Sequence, residues 1–149
     1  MKTIIRVSTF FMLVLLSINV MPFLYVSAGN TQDTDFSYVL NAGDQYKTEA
    51  RQKLDYSSSY MNCMICSGNY VAAVWGGYVD ATAYNCSQGY RYYFATNYKR
   101  FMFNEVKERG FPMCQIFAEP NLSGTTASGK WSPDSVYESG VLPATDYIP

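Results

Sequence analysis

The side chains with the most chemistry to offer are four cysteines: Cys63, Cys66, Cys86 and Cys114. Cys63-Met64-Ile65-Cys66 has the C-x-x-C spacing of redox dithiols and of half a zinc site. A zinc site needs a second ligand pair, yet Cys86 and Cys114 stand 28 positions apart and the chain contains no histidine. No metal or other cofactor is expected. A thioredoxin-like dithiol sits between a strand and a helix, whereas this one falls among β-rich segments. The absence of histidine also removes the commonest general base and every nucleophile-His triad. Carboxylates for hydrolysis exist in Glu105, Glu108, Glu119 and Asp134, but nothing local selects two of them as an acid and base pair. Arg91-Tyr92-Tyr93 with Lys99 and Arg100 offers a small anion-binding patch, or simply a solvated face.

The N-terminus decides how the cysteines are read. Lys2 and Arg6 precede an uncharged apolar run from Val7 to Val26, which ends in the small residues Val26-Ser27-Ala28 before Gly29. This is the pattern of a secretory signal peptide over residues 1–28, with cleavage between Ala28 and Gly29. Asn19 and Pro22 interrupt the run, so an uncleaved membrane anchor is the weaker reading, and no comparable apolar run follows. No stable membrane span is expected in the mature form. Its localisation is predicted to be secreted, where an even cysteine count makes disulfides the default. Three pairings are possible.

Removal of 28 residues from 149 leaves 121, enough for one domain with a real core. Lys2 and Arg6 account for two of the eleven basic residues, leaving nine against twelve Asp and Glu, a net charge of −3. No basic patch appears, so nucleic acid is not an expected partner.

Residues 29–35 read as a flexible tail, 36–136 as a β-rich domain and 137–149 as a loosely ordered C-terminal tail. Strands are expected at Phe36–Leu40, Tyr56–Ile65, both sides of Gly76-Gly77 within 70–79, Tyr90–Phe94 and Met113–Ala118. Met61, Cys63 and Ile65 are the expected core-facing set in the second of these, and Cys114, Ile116 and Ala118 in the last. Tyr98, Phe101, Met102 and Val106 recur at helical spacing before Gly110, which predicts one helix over 97–109. Beyond Pro120 the chain is rich in Gly, Ser, Thr and Pro, with Trp131 as its one large anchor. The expected fold is mainly β: an antiparallel β-sandwich-like single domain with one short helix. Periodicity places Cys63 and Cys114 on inward faces, so a bridge between them would span the core and leave Cys66 for Cys86. Fourteen tyrosines, only Tyr25 of them in the leader, and two tryptophans suit half-buried strand faces, and exposed aromatics also hold sugars or peptides.

Three segments carry a family resemblance: Glu49–Lys53 running into Asp55–Met61, Asn104–Phe111, and Ser128–Val136 with its Lys-Trp-Ser-Pro-Asp-Ser core. Together they resemble small secreted proteins of Gram-positive bacteria with no established function, a group similar in turn to lactococcin-like bacteriocins, secreted β-sandwich proteins of the cell envelope. The resemblance covers most of residues 36–136 and brings no catalytic motif. It implies a non-enzymatic protein whose partner is a cell-wall or envelope component, bacteriocin-like or a binding module. The rival is a secreted thiol oxidoreductase using Cys63 and Cys66, or a carboxylate-based hydrolase.

Overall fold

The computed structural model describes residues 29–148, so the anticipated signal peptide and Ala28 lie outside the described residues. Ten strands run β1 (Thr34–Leu40), β2 (Tyr46–Lys47), β3 (Arg51–Gln52), β4 (Ser59–Cys66), β5 (Tyr70–Gly77), β6 (Tyr84–Asn85), β7 (Tyr92–Phe94), β8 (Tyr98–Met102), β9 (Met113–Pro120) and β10 (Thr125–Ser132). They form two antiparallel sheets, ordered β1-β10-β4-β8 and β2-β9-β5-β6. In the second sheet β3 also pairs with β9 and β7 with β5. Alternate residues of both sheets meet in one core, among them Phe36, Tyr38, Leu40, Met61, Val74, Tyr92, Ile116 and Trp131. Among the described residues no helix is long and apolar enough to cross a membrane.

The expected helix is absent from the described residues. Tyr98–Met102 is instead the edge strand β8, paired with Ser59–Cys63, and the chain then turns through Asn104–Gly110. The helical spacing joined two different faces: Met102 and Val106 are buried, whereas Phe101 lies on the outer face against Tyr60, ring centroids 6.1 Å apart. Gly110 still ends that turn, with φ of 74°.

Two more expectations change. Gly76-Gly77 does not interrupt β5, which pairs with β9 along its whole length. Gly76 faces the core where Cys86 and Val106 crowd in: a methyl there would lie 3.0 Å from the Cys86 sulfur. Ile65 is 66% exposed because the β4–β10 register slips between Ser128 and Gly129. Cys63 pairs with Gly129, Ile65 with Ser128 and Cys66 with Ala127, which makes Met64 the extra residue of a β-bulge and reverses the alternation beyond it.

The segments read as loose are tied down. β1 begins at Thr34, and the Asn30 amide donates to Asp134 at 2.6 Å. At the other end, Leu142 bridges to Arg100 and Ile148 to Arg91. Tyr147 stacks on Tyr90 at 3.8 Å, and Asp146 pairs with Arg100 at 3.0 Å. These contacts supply partners for strand edges that would otherwise be bare.

Candidate functional site

The outer face of the second sheet carries an aromatic platform. Trp75 and Phe117 point away from the core on neighbouring strands β5 and β9, and their rings stack with centroids 4.3 Å apart and planes 23° from parallel. They sit diagonally, since Trp75 pairs with Gln115 and Ala73 with Phe117. Val71, Ala73, Asn85, Arg91 and Glu119 line a shallow groove with the two rings. The two rings cover each other's inner faces, and an outer ring face of the pair, rimmed by an amide, a guanidinium and a carboxylate, can stack against the C–H face of a sugar ring and hydrogen-bond its hydroxyls. Beyond Gln115 the same sheet continues into a second depression lined by Lys47, Glu49 and Tyr78. Both rings belong to strands legible in the sequence, but their adjacency depends on a strand register that local pattern does not contain.

The cysteines are unbonded thiols in the structure. The bulge at Met64 brings Cys66 round to the side of Cys63, and the two thiols are neighbours. Cys63 is fully buried, and burial first, then the adjacent Cys66, pushes its thiol up to about 12. Cys66 is partly accessible: its amide donates to Thr96 Oγ1 at 3.0 Å, and the two side chains meet at 3.5 Å. Cys114 is buried against Ser59, Sγ to Oγ 3.4 Å, and burial pushes it to about 12. The expected Cys63–Cys114 bridge is therefore remote: Cys63 lies four positions along β4 from Ser59, roughly 13 Å, against a Cα separation of at most about 7 Å for a disulfide. Cys86 sits over Gly76, whose strand partner is Cys114, so Cys86 approaches Cys114 and not Cys66.

The carboxylates disperse. Asp134 is buried against Lys53, with Oδ1 2.7 Å from Nζ and both side chains fully shielded. The ammonium also donates to the carbonyls of Ser57 and Pro133, at 2.5 and 2.8 Å. The carboxylate accepts backbone N–H groups from Asn30 and Leu54, at 2.6 and 2.9 Å. Burial alone would raise the Asp134 carboxyl, but Lys53 and these amides outweigh it and hold the group below its ordinary value. Such a satisfied pair is built to stay ionised and to fix structure. Glu105 meets Gln88, Glu108 is exposed, and Glu119 rims the aromatic groove. No two face each other across a cleft as an acid and base pair. Arg91, Tyr92, Tyr93, Lys99 and Arg100 do not gather either: Tyr92 is core, Arg100 is buried with Asp146, and Lys99 pairs with Glu138 at 2.9 Å. Among the described residues no cluster of metal ligands forms.

Fold and site define a two-sheet antiparallel β-domain with a solvent-facing aromatic groove. The chain belongs to the DUF2712 family, described as proteins of unknown function, whose model matches residues 24–135. No curated protein and no solved structure matches it.

Proposed function

We propose that the exported chain is a non-enzymatic binding protein that acts at the bacterial cell envelope and holds a glycan of that envelope on the Trp75–Phe117 groove. The stacked rings carry this reading: a tryptophan and a phenylalanine lie face to face on the side of the sheet that does not build the core, among Asn85, Arg91 and Glu119. Export and the envelope as the site of action rest on the leader-like residues 1–28 and on the resemblance to secreted proteins of Gram-positive bacteria. Isolated cell walls should retain the protein, and Trp75→Ala should weaken retention roughly tenfold or more while leaving the melting temperature within a few degrees. Equal retention of wild type and variant would sink the groove as the binding surface. The bacteriocin-like form of this reading further expects purified protein to inhibit lawns of related strains, with Trp75→Ala inactive.

A second reading, a thiol oxidoreductase, is favoured by one observation: the bulge places Cys63 and Cys66 side by side. The accessible Cys66 would attack a disulfide co-substrate, releasing its leaving thiol. Cys63 would then displace the other half, closing a Cys63–Cys66 disulfide and releasing a second thiol. Oxidised glutathione tests it. Cys63→Ser should then trap a glutathionyl group on Cys66, and wild type should retain none but lose two hydrogens, mapped by peptide mass to Cys63 and Cys66. Persistent glutathionylation of wild type, or no reaction at all, argues against the dithiol.

A further inference from the structure

Gly29, the first residue of the expected mature chain, is closely packed. Gly29 lies so close to Asp55 that a methyl on its Cα would stand 2.2 Å from Oδ2, and 3.1 Å from Cβ of Asp134. A larger residue there would have to displace the Asp55 carboxylate. Asp55 uses Oδ1 to accept the amide and hydroxyl of Ser57, at 2.8 and 2.5 Å, while no described residue donates a hydrogen bond to Oδ2. The cluster around it holds one cation and two anions: Lys53 is 2.7 Å from Asp134 but 3.8 Å from Asp55. The nearby Arg51 is engaged elsewhere, with Asn30 Oδ1, the Gln32 carbonyl, Thr34 and the Trp131 carbonyl. One carboxylate oxygen on a half-buried aspartate, side chain 34% exposed, thus faces the backbone of Gly29 with no donor among the described residues.

We propose that cleavage between Ala28 and Gly29 supplies that donor: the new α-ammonium of Gly29 pairs with Asp55 and completes a neutral cluster of Gly29, Lys53, Asp55 and Asp134. The proposal rests on the export reading. Hydrolysis of the Ala28–Gly29 amide consumes one water, leaves a carboxylate on Ala28 and converts an uncharged peptide nitrogen into an ammonium at neutral pH. By bond lengths alone that nitrogen lies within about 5 Å of Oδ2. A precursor with the peptide bond intact lacks the pair, so the leader-bearing chain is the less stable one before translocation and the processed chain is locked afterwards. Asn30, next in line, already donates to Asp134, so the ammonium is held over the cluster by the residue that follows it.

Two measurements test this. Amino-terminal sequencing of the exported protein should read Gly-Asn-Thr; any other start overturns the export reading at this bond and the proposal with it. The exported chain is then compared with one retaining Ala28 at its amino terminus, each with Asp55 and with Asp55→Asn. The Gly29 start should lower the unfolding equilibrium constant roughly fivefold relative to the extended chain. That advantage should vanish in the Asp55→Asn background. Equal stability of the two starts, or an advantage that survives Asp55→Asn, would leave the cleavage reading standing and overturn the ion pair.

Discussion

Lys53→Met is expected to cost the domain about 3–5 kcal/mol, because it leaves a fully shielded carboxylate without its counter-ion. Two carbonyls, of Ser57 and Pro133, lose the same donor at once. Against a usual net stability of roughly 5–15 kcal/mol this removes a large share of the fold. Urea unfolding followed by far-ultraviolet circular dichroism should show the midpoint fall by one molar or more, with m values of about 1–3 kcal/mol per molar. Replacing both partners, Lys53→Met with Asp134→Leu, should be milder than the single change, since no charge is then stranded. A single-variant cost under about 1 kcal/mol would show that the pair is solvated and unimportant. The pair also sets the acid limit. Asp134 is held below its ordinary 3.8 in the folded state, so its stabilisation is complete above that value and is lost as pH falls through the lower folded one. Acid unfolding of the wild type should therefore deepen below about pH 4, whereas the cost of Lys53→Met should shrink there, because protonation neutralises the stranded Asp134 carboxylate.

Gly129→Val should be comparably damaging for a different reason. A Cβ at this position would lie 1.9 Å from the Asn62 carbonyl oxygen and 3.0 Å from the Met64 amide nitrogen. Those are backbone atoms of the bulge, so relief means breaking the β4–β10 pairing in the middle of the first sheet. A loss of about 3 kcal/mol or more is expected, enough to lower expression as folded protein. Gly140→Ala is the control: φ there is 82° with nothing within 4 Å of a new methyl, so only local backbone strain of about 1 kcal/mol applies. If Gly129→Val melts with the wild type, the bulge is not built as described. The same variant should also separate Cys63 from Cys66, because the slip in register is what makes them neighbours.

Legibility followed pairing environment. β1, β4 as far as Cys63 and β9 send alternate residues into the core, which could be read directly, and β7 was legible from its aromatic enrichment. β10 could not. Thr125, Ala127 and Gly129 face inward beside Trp131, small and polar side chains that look like a loop until β1 and β4 are placed on either side. β2 and β3 escaped notice at two residues each; between them the Thr48 hydroxyl accepts the Ile116 amide at 2.9 Å, standing in for a ladder bond. The C-x-x-C was visible as spacing, yet regular alternation puts its two thiols on opposite faces and only the bulge reverses this.

The sequence by itself determined the class of fold, the absence of histidine chemistry, the inward faces of Met61, Cys63, Cys114, Ile116 and Ala118, and an expected cleavage point at Gly29. Each of these depends on residue type or on neighbours within a few positions, where periodicity and sterics act. Tertiary structure alone decided that Lys53 meets Asp134, that Trp75 stacks on Phe117, and that Gly29 faces Asp55. These contacts join residues 81, 42 and 26 positions apart: the β5–β9 register sets Trp75 beside Phe117, and the chain's path between strands brings Lys53 to Asp134 and Gly29 to Asp55.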